Sequence, residues 1–292
     1  MLRLTNLNKV LFPEDGLTKR DLLAYYASIA DLILPFLRGR PLVLRRMPEG
    51  IHGELFYQKE TGNTIAPWIE TVVIESEARP VRYAVCNGLA PLLWLTHPGS
   101  IDHNPWSSSV DDLEHPDYVF LDLDPTHDTP FAITTEVARA VCAVLAAAGL
   151  KYYPKTSGAT GFHIFVPLER GYTYRHAAAF AEIVSRIAAA RVPDKVTFER
   201  IVANRPPGRV LPDYQQLARG RVLASVYSVR PEPHAPVSAP VRPEELDSSL
   251  SPERFTLRTM PARLKQAGDL WSDFWKSRQR LEPALERLKG LR

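Results

Sequence analysis

The run Tyr118-Val-Phe-Leu-Asp-Leu-Asp-Pro125 closes an apolar strand with two carboxylates. The two-residue period of a strand puts Asp122 and Asp124 on one face and Leu121 and Leu123 on the other. Carboxylates that close repel each other, and a cation resolves the repulsion. Hard oxygen donors in this spacing suit Mg²⁺ or Mn²⁺ rather than zinc. The pair also reads as a turn, with one aspartate capping the bend before Pro125.

Lys155-Thr-Ser-Gly-Ala-Thr-Gly-Phe-His163 is a glycine-bracketed turn that runs into the strand Ile164-Phe-Val166. Successive backbone N–H groups in such a turn make a nest for an anion, with Ser157 and Thr160 adding hydroxyls and His163 an imidazole. No Gly-Lys-Ser/Thr follows the glycines, so this is not a Walker loop. Two turn glycines and a strand histidine satisfied in the core would look the same. Asp213, in Val210-Leu-Pro-Asp-Tyr-Gln-Gln216, follows Pro212, which marks an edge strand or bulge. It reads as a third metal carboxylate or as a solvent-facing one. Arg230 ends Tyr227-Ser-Val-Arg and suits a phosphate clamp or a solvated strand end.

These residues need a sheet to hold them. Strands are predicted at Pro41–Arg45, Glu54–Gln58, Val72–Ile74, Val81–Val85, Tyr118–Leu123, His163–Val166, Val196–Phe198, Val210–Tyr214 and Val222–Ser228. Thr18-Lys-Arg-Asp21 resembles a capping box that starts a helix running from about Lys19 to Leu37. Further helices are predicted at Asn87–Leu95, Ile133–Ala148 and Tyr174–Ala190. The fold class is α+β, an antiparallel or mixed sheet flanked by helices. The proline-dense stretch Pro231–Pro243 reads as an extended surface strap, followed by two short amphipathic helices through Met260, Leu264, Phe274, Leu281, Leu285 and Leu288. Residues 1–292 are read as one compact domain: 1–85 as an amino-terminal part, 100–240 as the catalytic sheet and 245–292 as the carboxy-terminal strap and helices.

With 292 residues, 45% hydrophobic and 24% charged, the chain is an ordinary globular one, which excludes disorder and collagen-like repeats. No apolar run approaches the ~18 residues of a membrane helix. The amino end lacks signal-peptide features, and Cys86 and Cys142 cannot build a disulfide framework, so a reduced, cytoplasmic setting is expected. The net charge is only +3, yet Met1–Pro48 holds eight basic residues against four acidic ones. That asymmetry marks either a phosphate-facing surface or a solvated face.

Asp-Leu-Asp-Pro, Lys-Thr-Ser-Gly-x-x-Gly-x-His, Asp-Tyr-x-Gln and Tyr-Ser-Val-Arg, in this order, resemble the polymerase domain of bacterial DNA ligase D. That domain belongs to the archaeo-eukaryotic primase superfamily. Leu4-Thr-Asn-Leu-Asn-Lys-Val-Leu-Phe-Pro13, Gly16-Leu-Thr-Lys19, Leu37-Arg-Gly-Arg-Pro41 and Ala235-Pro-Val-Ser238 extend the similarity across Leu4–Leu246. The resemblance implies a primase-polymerase fold and a template-directed nucleotidyltransferase, one that fills gaps and extends DNA ends in non-homologous end joining and prefers ribonucleotides. It implies two Mn²⁺ or Mg²⁺ ions on Asp122, Asp124 and Asp213. The nucleotide would meet Ser157, His163, Gln216 and Arg230, a DNA 5′-phosphate would meet Asn6, Lys9 and Lys19, and the template would pack on Phe56 and Tyr57, unless strand alternation sends one ring into the core. Implied partners are gapped or broken duplex DNA, nucleoside triphosphates, Ku and an ATP-dependent ligase, at the nucleoid. No Lys-x-Asp-Gly adenylation motif occurs, so nick sealing is not expected of this chain.

The sequence departs from the family pattern at Thr160 and Asn104, where relatives often carry a basic residue and a histidine, and at Pro212 and Leu217 beside the third aspartate. His103, one place from Asn104, would face the other way on a strand. Two rival classes share some of these features: a metal-dependent Asp-x-Asp glycosyltransferase, and a non-catalytic module that binds DNA ends through the 5′-phosphate.

Overall fold

Thr18 starts the first helix as its sequence predicts: its side chain accepts from Asp21 N–H, and the Asp21 carboxylate accepts from Thr18 N–H in return. The structure, a computed structural model, describes residues 2–62, 65–76 and 79–291. Strands β1 (Val10–Phe12) and β2 (Leu17–Thr18) pair antiparallel and deliver the chain into α1 (Lys19–Ser28). The single helix expected to Leu37 is two, because the chain leaves helical geometry at Ile29 before α2 (Ala30–Leu37). Ser28 spends its hydroxyl on the Tyr25 carbonyl at 2.7 Å, a back-bond that bends a helix at its last turn.

Two compact units follow from the chain path. The first comprises Met1–Asp112, Val222–Ser238 and Phe255–Gln266; the second comprises Leu113–Arg221, Ala239–Arg254 and Ala267–Arg292. In the first unit β3 (Pro41–Arg46) is the hub of a five-stranded antiparallel sheet. It pairs with β4 (Phe56–Gln58), with β6 (Val81–Val85), whose other edge carries β5 (Thr71–Ile74), and, beyond α3 (Leu89–Thr96), with β7 (Ser100–Pro105). β7 is buried along its whole length. Its polar sequence carries no apolar alternation, which is why pattern reading does not find it.

In the second unit β8 (Tyr118–Pro125) is followed by α4 (Phe131–Ala147), β9 (Tyr153–Thr156), β10 (Phe162–Pro167), α5 (Tyr174–Arg191) and β11 (Val210–Pro212). The sheet order is β11-β8-β10-β9, antiparallel throughout. β8 is therefore internal, and its apolar face is sealed by Val119, Leu121 and Leu123, each 1 % exposed or less. The fold is α+β, as expected.

Three expected strands differ. Val196 makes only an isolated bridge to Val210, and Val222 one to Trp106 before the chain turns through Ser225–Ser228. β11 stops at Pro212, because Asp213 caps a short 3₁₀ turn, Tyr214–Gln216. The stretch after Pro231 is not a surface strap: Ala235, Val237, Ala239 and Val241 are all 2 % exposed or less. Its backbone is paired like a strand's, through Val237 N–H to Phe255 O in the first unit and Thr156 N–H to Ala239 O in the second.

The carboxy-terminal helices are α6 (Met260–Ala267) and α7 (Glu282–Lys289). Between them Trp271 and Phe274 stack 5.2 Å apart and pack on Tyr153 and Phe165 of the second sheet. Cys86 and Cys142 are buried free thiols whose pKa values burial raises, which disfavours the thiolate. Among the described residues no helix is long and apolar enough to cross a membrane.

Candidate active site

The two carboxylates of β8 lie where its apolar run ends. Asp122 is 20 % exposed in its side chain and Asp124 is 50 %. Asp213 reaches the same strand by register: Leu211 opposes Asp124, Pro212 opposes Leu123, and Asp213 N–H donates to Asp122 O at 2.7 Å. The proline costs the ladder nothing, because β11 is the edge strand. Three aspartates from two segments thus gather at one end of the sheet. Burial raises the Asp124 pKa, and the Asp122 and Asp213 charges add to it, against the lowering effect of Arg205.

Two arginines that sequence reading missed hold this cluster. Arg205 Nη1 donates to Asp124 Oδ2 at 2.8 Å, and Arg200 Nη1 to Asp213 Oδ1 at 2.7 Å. Asp213 Oδ1 also accepts from Gln215 and Gln216 N–H, at 3.1 and 3.2 Å, as the cap of the 3₁₀ turn. With the arginines so placed, no group of three metal-ligating side chains closes on one point among the described residues. The donor chemistry fits a hard divalent ion nonetheless: three carboxylates share one field, and the charges of Asp122 and Asp213 help to raise the Asp124 pKa. The available signal was local: Arg200 and Arg205 both lie within fourteen residues of Asp213.

The glycine-bracketed turn joins β9 to β10 in the same sheet. Gly161 is required there, since a Cβ would sit 2.4 Å from Leu123 O. Ser157, 8 % exposed, accepts at Oγ from Ala159 and Gly161 N–H, at 3.1 and 3.0 Å. Those two amides, expected to form an open nest, are instead turned onto the serine. Thr160 is exposed at the tip. His163 is 4 % exposed, opposes Asp122 across the sheet and sets Nε2 3.4 Å from Asp122 Oδ1. Gln216 is half-buried beside the cap and accepts from Arg221 Nη1 at 3.2 Å.

The other predicted residues belong to the first unit. Arg230 Nε lies 3.3 Å from Asp102 Oδ2, an oxygen that also accepts from Arg45 Nη1 at 3.0 Å. Asp102 is fully buried, and its Oδ1 accepts from Asn104 Nδ2 at 3.0 Å. β7 alternation puts Asp102 and Asn104 on one face and turns His103 away to Thr96, as expected of a strand.

Lys9 and Lys19 come together across the β1–β2 turn. Lys19 N–H donates to Lys9 O at 2.8 Å, and the Lys19 pKa is lowered first by burial and then by the Lys9 charge. Lys19 and Arg20 occupy the first turn of α1, where the helix dipole disfavours cations. Asn6 takes a left-handed backbone, φ 53°, and accepts from Lys9 N–H at 3.1 Å. Leu4, Asn6, Lys9 and Arg20 help line an open depression of about 600 Å³. Glu49, unremarked in the sequence, pairs with Lys9 Nζ at 2.6 Å. Phe56 and Tyr57 are both exposed, 46 % and 66 %, because β4 is an edge strand whose two faces are open; neither ring enters the core.

The antiparallel sheet that positions these residues belongs to a fold shared with a solved polymerase domain. The structure of the polymerase domain from Mycobacterium tuberculosis ligase D in complex with DNA superimposes with a TM-score of 0.87 at 27% identity, covering 96% of this chain and 99% of that one. The family model for the LigD primase-polymerase domain matches residues 18–271, and the chain belongs to that family. It is 34% identical over 291 residues to the multifunctional non-homologous end joining protein LigD of Pseudomonas aeruginosa, covering 99% of this chain and 34% of that protein. It is 30% identical over 280 residues to the bifunctional LigD of Bacillus subtilis, covering 95% of this chain and 45% of that protein. The chain thus spans less than half the length of these relatives. The family places it among nucleotidyl-transferring polymerases, not glycosyltransferases.

Proposed function

We propose that the chain is a template-directed nucleotidyltransferase that fills gaps and extends broken DNA ends in non-homologous end joining, with ribonucleotides preferred. The observation that carries the reading is the convergence of Asp122, Asp124 and Asp213 at one end of the sheet of a LigD primase-polymerase domain. These three would hold two Mn²⁺ or Mg²⁺ ions, which when bound supply Lewis-acid activation of a primer 3′-OH and neutralise the triphosphate. The chain's own residues supply the rest. Asp122 and Asp124 would serve both ions and Asp213 the 3′-OH side, with Arg200 and the turn amides keeping Asp213 Oδ1 fixed.

Ser157, His163, Gln216 and Arg230 are assigned to the incoming nucleotide. Asn6, Lys9 and Lys19 are assigned to a DNA 5′-phosphate, two ammoniums beside one dianion. Phe56 and Tyr57 are assigned to the template, where stacking on an aromatic ring contributes roughly 1–3 kcal/mol per base whatever the sequence. On the strength of the sequence resemblance, a ligase activity and Ku are taken as partners, acting with it on chromosomal DNA in the cytoplasm.

The test is single-nucleotide addition to a gapped duplex carrying a downstream 5′-phosphate, with Mn²⁺ and either a ribo- or a deoxynucleoside triphosphate, beside an Asp122→Ala control. Templated addition lost in the control supports the polymerase, and the two rates give the sugar preference. Phosphate-dependent binding without addition by the unaltered chain would replace this reading with a non-catalytic end-binding module.

A further inference from the structure

Tyr57, Arg45 and Asp102 form a row across the first sheet. Tyr57 on β4 opposes Arg45 on β3, and Arg45 opposes Asp102 on β7. The Arg45 guanidinium carbon lies 5.8 Å from the centre of the Tyr57 ring, and Arg45 Nη1 donates to Asp102 Oδ2 at 3.0 Å. Arg230, from a distant segment of the same unit, meets that oxygen with Nε at 3.3 Å. Asn104 Nδ2 donates to the other oxygen, Oδ1. The Asp102 side chain is 0 % exposed, whereas those of Arg45 and Arg230 are 16 % and 14 % exposed. The row thus runs from an open ring to a carboxylate sealed from water.

We infer that Asp102 is a positioning residue for nucleotide binding, acting through Arg230. A guanidinium keeps its charge at any ordinary pH, so two arginines that reach one oxygen would repel each other without it. The carboxylate oxygen between them replaces that repulsion with two attractions. It also restricts the rotamers of two long side chains, ordering that an arginine otherwise undergoes only when it meets a phosphate. Arg45 is engaged by the Tyr57 ring on one side and Asp102 on the other. Arg230 is the arm that Asp102 holds ready for a polyphosphate. Asn104 steadies the support in turn, since its Nδ2 holds Asp102 Oδ1 and also donates to Val43 O at 3.2 Å. The polar face of β7 therefore serves as the footing of an arginine. That Arg230 faces the nucleotide rests on the function proposed above; the sharing of Asp102 by two arginines does not.

The experiment measures ATP–Mg²⁺ binding by isothermal titration calorimetry and nucleotide addition to gapped DNA, in the full chain and in its Asp102→Asn, Arg230→Gln and double variants. Each single change is expected to weaken ATP binding roughly tenfold, as loss of one charge-assisted hydrogen bond gives, and the double variant no more than either. KM for the nucleotide should rise in step while the turnover number stays within about threefold, since Asp122, Asp124 and Asp213 are untouched. A merely structural role would lower Tm and leave the affinity of the folded protein unchanged. Unchanged or tighter ATP binding in Asp102→Asn overturns the inference; tighter binding would make the carboxylate a brake on the positive charge of the pair and not the support of Arg230. Removing one member of a buried ion pair is strongly destabilising, and the double variant removes both. Where Asp102→Asn alone does not fold, the double variant is expected to bind ATP as Arg230→Gln does, and a further loss in it overturns the inference. ATP affinity unchanged in Arg230→Gln would overturn the assignment of Arg230 to the nucleotide and the positioning role with it. Affinity lost there but kept in Asp102→Asn would leave that assignment standing and remove Asp102 alone.

Discussion

His163 and Asp122 stand opposite each other on β10 and β8, with Nε2 of the ring 3.4 Å from Oδ1 of the carboxylate. The backbone carbonyl oxygen of Asp122 accepts from Asp213 N–H. Asp122 is thus the residue through which the turn after β9 and the segment after β11 are tied to one point.

Asp122→Ala is expected to abolish nucleotide addition, by on the order of a thousandfold or more, as loss of a shared metal ligand does. Binding to a 5′-phosphorylated DNA end should stay within about twofold by the ordinary variability of surface substitutions. The check is addition and gel-shift binding side by side, and retained addition would remove Asp122 from the metal site.

Asp124→Asn separates stability from activity. The folded-state pKa of Asp124 is raised, so its contribution to stability is fully present below the unfolded value and lost as pH rises through the folded one. At neutral pH the metal-free protein carries an unfavourable charge there, and the amide relieves it. A small rise in metal-free Tm, on the order of 1–3 °C, is expected together with loss of addition. Differential scanning fluorimetry should further show that Mn²⁺ stabilises the wild type and not the variant. A lowered Tm at neutral pH would mean that the Arg205 pair outweighs the repulsion.

Glu49 competes with any anion for Lys9. Glu49→Ala should tighten binding of a 5′-phosphorylated end by a few-fold, the order of magnitude of an exposed ion pair. Lys9→Ala with Lys19→Ala should remove the preference for the phosphate and make the salt dependence shallower by about two counterions. Fluorescence anisotropy on ends with and without the phosphate, over a salt series, distinguishes these outcomes. An unchanged phosphate preference in the double variant would place the receptor elsewhere.

His103 gives the first unit a pH dependence. It is fully buried with Nε2 3.0 Å from Thr96 Oγ1 and its ring edge-on to Tyr26, and burial pushes its pKa down to about 3. A depressed folded-state pKa contributes stability that is complete above the unfolded value, near 6.5, and lost progressively as pH falls toward 3. Urea unfolding should therefore weaken on acidification below about pH 6.5, with a slope from this group of at most ~1.4 kcal/mol per pH unit. His103→Gln should flatten that slope. An equal slope in the variant would assign the acid sensitivity to other groups.

The aspartate pair, the capped first helix and the order of the motifs were legible in the sequence because each is a local pattern. A two-residue period is enough to put Asp122 and Asp124 on one face, and Thr18 with Asp21 is enough to start α1. The alternative that alternation would send Phe56 or Tyr57 into the core is not realised, since both rings are exposed on the edge strand β4, and sheet order is not written in the local pattern.

Tertiary structure decided what depends on register between distant segments. Lys155, His163 and Asp122 form a row only because three strands are paired in one register, set by burial of the whole apolar face. Likewise Arg200 and Arg205 meet Asp213 and Asp124 through a loop with no periodic signal, and polar β7 and the proline-rich stretch after Pro231 are buried because neighbouring backbone groups pair with them. Chemistry-bearing residue types are written locally along the chain. Which of them share a proton, a charge or an oxygen is settled by non-local pairing, whose free energy belongs to the whole sheet rather than to any one segment of sequence.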